Sequence, residues 1–130
     1  MDKFLKTRYL RGGRGPVEYD CYGLVRHART ELFGKSLLPL LSDVLPGVAR
    51  AITNAHAQVY ASGEFRESPV RPGAIAEGWM ASLCVHVGIV VEVDGRLMVL
   101  ETDEPTGPCL TPINRFKTRF TRVLFFDDQL

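Results

Sequence analysis

The sequence predicts an α+β domain in which N-terminal helices pack on a small antiparallel sheet. Three observations carry that expectation. In the first half, Cys21, Leu24, Val25, Ala28 and Leu32 recur at helical spacing and form one apolar stripe. After Glu64 the pattern changes to strands, with the run Cys84 to Val93 richest in β-branched residues. Asp94-Gly95 then separates that run from Arg96 to Thr102, as a two-residue hairpin turn does. A chain of 130 residues, 45% hydrophobic, fits a single domain over 1–130 that needs neither metal nor disulfide to build its core.

Taken in order, residues 2–9 read as a short helix leading into the glycine-rich loop Gly12-Gly13-Arg14-Gly15-Pro16. A helix follows from about Asp20 to Phe33, with Gly34 as its C-cap. Lys35 to Ser42 is a proline-containing connector, and Val48, Ile52, Ala55 and Val59 predict a second helix ending before Gly63. Arg71-Pro72-Gly73 is a turn, Glu104 to Pro108 a loop, and Thr118 to Phe126 a final β-rich segment. His27 and His56 lie on helix edges and receive no role.

Charge argues against a nucleic-acid partner, since 16 Lys and Arg face 15 Asp and Glu. Lys3, Lys6, Arg8, Arg11 and Arg14 give the N-terminal segment a basic rim, which reads as a solvated face. No run approaches the length of a membrane span. The N-terminus lacks an apolar signal core, so synthesis in the cytoplasm without a signal peptide is expected. Three cysteines in such a chain point to free thiols rather than a disulfide framework.

One of those thiols stands apart. Cys21 sits where the glycine loop delivers the chain to the first turn of a helix. Exposed N–H groups and the positive end of the helix dipole favour thiolate at such a position. A thiolate nucleophile needs a base, and the base needs an orienting group. His86, in the strand His86-Val87-Gly88-Ile89-Val90, is the histidine best placed to serve. A two-residue turn at Asp94-Gly95 sets His86 opposite Asp103 and Gly88 opposite Glu101, so either carboxylate is a candidate third member. Strict alternation also puts Cys84 on the face of His86, and with Cys109 or Cys21 they are the only grouping that suggests zinc. The spacing matches no recognised zinc pattern, and neither a metal nor another cofactor is expected. Gly12 to Gly15 lacks the Gly-Lys-Thr/Ser of a P-loop.

The segment Thr7-Arg8-Tyr9-Leu10-Arg11-Gly12-Gly13-Arg14-Gly15-Pro16-Val17-Glu18-Tyr19-Asp20-Cys21-Tyr22-Gly23-Leu24-Val25 resembles the nucleophile region of the NlpC/p60 superfamily of cysteine peptidases. That family shows Tyr-x-x-Gly-Gly and then aromatic-Asp-Cys-Ser-Gly-Leu-Val. Arg71-Pro72-Gly73 and His86-Val87-Gly88-Ile89-Val90 are similar to its second block. The Gly-Arg-Gly-Pro run is most like the phage tail-assembly branch. The resemblance implies a papain-like fold, with Cys21 attacking a peptide carbonyl and His86 handling protons. It implies that Tyr9 lines the substrate site and that Asp20 is a helix N-cap or substrate contact. It implies a peptidoglycan stem peptide as substrate, other tail proteins as partners, and the virion tail as a destination.

The chain departs from the family pattern at three places. Tyr22 stands for the usual serine, Ala74 for the aspartate of Pro-Gly-Asp, and the third catalytic position aligns with Val99 or, two residues on, Glu101. Valine cannot orient an imidazole, so Glu101 is the expected third member. The same departures define the alternative, a catalytically inactive tail-tip or assembly module on this fold.

Overall fold

The computed structural model describes residues 1–38 and 65–128. The helix expected between Val44 and Ala61, with His56, lies outside these residues. The described elements are α1 (Asp2–Leu5), β1 (Arg8–Tyr9), β2 (Glu18–Tyr19) and α2 (Cys21–Phe33), followed by β3 (Phe65–Glu67), β4 (Ile75–Met80), β5 (Leu83–Val93), β6 (Arg96–Glu101), β7 (Cys109–Pro112), α3 (Ile113–Thr118) and β8 (Arg122–Asp128). The strands from β3 to β8 make a six-stranded antiparallel sheet in the order β3-β8-β4-β5-β6-β7. The chain is α+β, with a few helices against a small antiparallel sheet, as its sequence predicts.

The sheet has two covered faces. On one, α2 lays Leu24, Val25 and Ala28 against Val87, Ile89, Val91 and Leu100. On the other, Phe116 from α3 packs with Ala76, Val90, Val99 and Phe125. β5 serves both faces, which is why Val87 to Val91 is apolar without a break. The hairpin register is the one that a two-residue turn dictates: Val93 pairs with Arg96, Val91 with Met98 and Ile89 with Leu100. Asp94 and Gly95 both take positive φ, 51° and 77°, as a turn of that length requires.

α2 begins one residue later than expected, with Asp20 as its N-cap, and closes at Gly34 in the left-handed conformation, φ 66°. The N-terminal helix is shorter than the expected 2–9. Thr7 turns its hydroxyl back on the Phe4 carbonyl at 2.6 Å, and Arg8–Tyr9 leaves the helix to pair in parallel with Glu18–Tyr19. The final segment also differs: Thr118 ends α3, and the strand runs from Arg122 to Asp128. Pro112 at the N-cap starts α3, where proline's fixed φ and missing N–H cost little.

A buried ion pair ties α2 to the sheet. Arg29 donates to Asp127 at 2.5 Å, to Asp128 at 2.9 Å and to the Gly73 carbonyl at 3.0 Å. Lys35 and Arg71 add contacts to Asp127 at 3.0 and 2.8 Å. Asp127 is held below the usual carboxylate range: burial opposes this, and hydrogen bonds from Asp128, Arg71, Lys35 and Arg29 outweigh it. Burial separates the arginines, since the side chain of Arg29 is 1% exposed and that of Arg71 is 49% exposed. Arg29→Ala is expected to cost about 3 kcal/mol in urea denaturation, because a buried charge loses a buried partner. Arg71→Ala is expected to cost under about 1 kcal/mol in the same measurement.

Candidate active site

Cys21 is the first residue of α2, and Asp20 fixes the turn that carries it. Asp20 Oδ1 accepts the Gly23 N–H at 2.7 Å, and the Asp20 carbonyl accepts the Leu24 N–H at 3.0 Å. The first bond satisfies a donor that a helix start leaves over, and the second opens the helix's own ladder. Asp20 Oδ2 accepts from Arg14 Nη1. The side chain is closed to solvent, and burial raises its pKa against the hydrogen bonds from Gly23, Arg14 and Gly12. Of the two roles that the resemblance implies for Asp20, the N-cap is the one seen in this geometry.

The glycine loop lies directly on this turn. The Asp20 N–H donates to the Gly13 carbonyl at 3.1 Å. A methyl group on Gly23 would stand 2.3 Å from the Gly13 carbonyl oxygen, so the helix start and the loop meet only through glycine. Tyr22, bulky where the family has serine, is buried in the core beneath Arg14, whose guanidinium lies 5.3 Å from the ring centre. Burial raises its hydroxyl to about 12.

His86 comes from β5 at an irregularity that alternation does not predict. Gly78 pairs with His86, but the next residue, Trp79, pairs with Cys84, so Val85 is the extra residue of a bulge. The bulge turns Cys84 and His86 to opposite faces and corrects the expectation that they share one. Cys84 joins the α2-side core and donates its thiol to the His86 carbonyl at 3.7 Å, and burial pushes its pKa up. Cys84 and His86 therefore do not form one ligand set, and the described residues contain no cluster of three or more metal-binding side chains.

The imidazole is buried and gripped from several sides. Its Nε2 lies 2.8 Å from Glu101 Oε1. The Cys21 side chain lies close enough to the ring to raise its pKa. Asp103 Oδ2 stands 3.6 Å from Nδ1, beyond hydrogen-bond length, on a side chain 48% exposed. Of the two carboxylates that the hairpin register offers, Glu101 holds the ring and Asp103 flanks it. The Phe120 ring stacks on the imidazole at 6.0 Å and 14°, and Phe116 stands 6.0 Å away. Gly78 makes this stack possible, because a methyl group there would meet Phe120 at 2.5 Å. Gly88 does the same for β6: a methyl group there would lie 2.4 Å from Val99 Cγ1 and 3.1 Å from the Leu100 carbonyl oxygen.

Burial disfavours a charged imidazole, but interaction with Cys21 and the hydrogen bond the ring donates to Glu101 overcome this and raise His86 to about 10. Burial likewise opposes a charged Glu101; hydrogen bonds to His86 and Arg119, with one from Thr111, bring it to about 2. Arg119 Nη1 donates to Glu101 Oε2 at 2.7 Å. Tyr9 lies half-buried at the end of β1, its hydroxyl raised to about 12 by burial and by the charges of Asp103, Cys21, Glu104 and Asp20. Two hollows flank the loop after β6. One, about 340 Å³, runs between Thr7–Tyr9 and residues 104–108. The other, about 360 Å³, is lined by Glu101, Asp103, Arg115 and Arg119 among others.

No protein-family model and no curated protein matches the chain. The fold is shared with an amidase. The chain is similar to an N-acetylmuramoyl-L-alanine amidase from Bacteroides uniformis, with a TM-score of 0.58 and 11% identity over 99% of this chain and 97% of that one. At that identity the likeness bears on the fold alone.

Sequence reasoning did not single out Arg119, Phe116, Phe120 or Gly78. The signal for three of them is present, since Phe116 and Phe120 stand one helical turn apart after Pro112 and bracket Arg119.

The ring charge has a pH signature. His86 is raised from 6.5 to about 10, so its contribution to stability is complete below about 6.5 and is lost as pH rises through about 10. Glu101 acts in the opposite sense: its contribution is present above 4.5 and is lost as pH falls through about 2. An NMR titration of the imidazole should find it charged at neutral pH. In Cys21→Ala it should lose its proton at a lower pH than in the parent. An unchanged midpoint in that variant would mean the sulfur and the ring do not interact.

Proposed function

We propose that the protein is a thiol hydrolase that cuts amide bonds in peptidoglycan stem peptides, with Cys21 as nucleophile, His86 as acid and base, and Glu101 as the group that orients the ring. The observation that carries this reading is one buried imidazole held by Glu101 at 2.8 Å and raised in pKa by the neighbouring Cys21. That is the order nucleophile, base, orienter which acyl transfer through a thiol needs. The shared fold with an N-acetylmuramoyl-L-alanine amidase supports peptidoglycan as the source of the substrate. The motif around Cys21 supports the cysteine mechanism and is the sole support for a place in phage tail assembly.

The chemistry follows from the charges. Cys21 sulfur attacks the carbonyl carbon, and the C=O electron pair moves onto oxygen, which the Cys21 N–H at the head of α2 is placed to stabilise. As the tetrahedral species collapses, the C–N bond breaks and His86 gives its proton to the departing nitrogen, leaving a thioester on Cys21. Forming the thioester would remove the sulfur's negative charge, whose presence beside the ring helps to hold its pKa up. His86 therefore becomes a stronger acid at the step in which its proton is used. The neutral ring then takes a proton from water, hydroxide attacks the thioester carbon, the C–S bond breaks, and the carboxylic acid leaves with the Cys21 thiolate and the charged ring restored. Tyr9, Asp103 and Glu104 would line the approach to Cys21, and Tyr9 is the side chain proposed to touch substrate. Asp20 serves by holding the turn.

Purified stem peptides and whole peptidoglycan, analysed by mass, test both the activity and the bond. Cys21→Ala is expected to abolish cleavage with the fold intact. His86→Ala should lower kcat by about 10²–10⁴-fold, the usual share of a positioned acid and base. Iodoacetamide labelling distinguishes the inactive module: there, His86→Ala leaves the rate of Cys21 alkylation at neutral pH unchanged, whereas in the hydrolase it slows it. Cleavage by Cys21→Ala at the parent's rate would overturn the proposal.

A further inference from the structure

Glu101 can hold His86 only if something holds Glu101. A buried carboxylate with one oxygen on a ring is free to rotate about its last torsions unless the second oxygen is also engaged. The second oxygen of Glu101 faces the segment between α3 and β8. There Arg119 donates Nη1 to Oε2 at 2.7 Å, while its guanidinium lies 5.4 Å from the Phe116 ring centre and 5.2 Å from that of Phe120. Phe120 is the ring stacked on His86. The arginine is thus fixed over two aromatic rings, one of which also fixes the imidazole.

We infer that Arg119 is a positioning residue for the proposed reaction, locking the Glu101 carboxylate in the orientation that orients His86. The inference rests on the hydrolase reading but adds a member which neither the sequence motifs nor the fold likeness assigns.

Two features separate this role from general stabilisation. The Arg119–Glu101 contact extends the His86–Glu101 pair into a run of alternating charge: imidazolium, carboxylate, guanidinium. The other groups facing Glu101 do not replace the guanidinium. Thr111 on β7 contributes a neutral hydrogen bond, Cys109 on β7 is the cross-strand neighbour, and Asp103 is another anion. Arg115 on α3 lines the same hollow as Arg119, so a second cation is nearby, yet the contact with the Oε2 atom of Glu101 is made by Arg119. Planarity also counts, because a guanidinium can lie on a phenyl face and donate in its own plane at once, whereas an ammonium offers only a point charge.

The test uses the full chain and three variants: Arg119→Met, which keeps an unbranched stem over Phe116 and Phe120, Arg119→Lys, which restores the charge, and Arg115→Met as a control. Two readouts are taken. In the resting protein, the downfield His86 Nε2–H proton resonance reports the bond to Glu101 and needs no substrate. It should be sharp in the parent, broadened or lost in Arg119→Met, partly recovered in Arg119→Lys and unaltered in Arg115→Met. In turnover, Arg119→Met should lower kcat on the order of ten- to a hundredfold, part of what positioned acid–base catalysis supplies, with KM changed less than about twofold. A parent that cuts no peptidoglycan peptide but shows the resonance pattern sinks the hydrolase reading and leaves the Glu101 lock standing. An unchanged resonance in folded Arg119→Met, or a loss confined to KM, overturns the role given to Arg119.

Discussion

A positive charge on a buried ring is the constraint on which the rest of this structure depends. His86 has almost no solvent around it, and water is what normally stabilises an imidazolium. Polar partners must take its place, and each is delivered by a different part of the fold. α2 brings Cys21 from one side, and β6 brings Glu101 from the other. Both His86 and Glu101 lie past Ile89–Leu100, the last pair of the β5–β6 ladder, so their side chains meet where the backbones no longer bond each other. The apolar sheet, packed on both faces, fixes the distance between these deliveries.

Several small residues read as consequences of that constraint. Gly13 and Gly23 let the loop press on the first turn of α2, which sets the height of Cys21. Gly78 admits Phe120 over the strand so that it can stack on the imidazole. Gly88 lets β6 come close enough for Glu101 to reach Nε2. A Cβ would meet backbone at Gly13 and Gly23, the Phe120 ring at Gly78 and the branched Val99 side chain at Gly88, so the site tolerates little slack. The bulge at Val85 belongs with them, because it turns His86 out of phase with Cys84 and toward Phe116 and Phe120.

What the sequence made legible is what local rules control. The helix that begins at Cys21 and closes at Gly34 follows from spacing and capping, and the β5–β6 register follows from a two-residue turn. That register alone reduced the third member to Glu101 or Asp103. Choosing between them needed distances, 2.8 Å against 3.6 Å, and burial, neither of which alternation encodes. The bulge was illegible because it depends on how β4 lies beside β5, not on either strand alone. Arg119 was hidden for a related reason: it stands outside any regular element, and its partner is eighteen residues away on another strand. The aromatic pair around it was visible, but Pro112 reads as an ending rather than as the start of α3.

Charge counting explains why a carboxylate in the orienting position goes with an arginine. In the proposed mechanism the resting charges, those of a thiolate, an imidazolium, a carboxylate and a guanidinium, would sum to zero. Once the proposed reaction had acylated the sulfur and moved the ring's proton to the departing nitrogen, the first two charges would both have gone. Carboxylate and guanidinium remain, and the sum is still zero. Without the guanidinium, the acylated state would hold an unbalanced buried anion beside a neutral ring, and that anion would resist the ring's loss of its proton. A neutral amide in place of Glu101 would avoid the difficulty without any cation. The glutamate at this position and the arginine on its second oxygen are therefore one device, and neither substitution is conservative without the other.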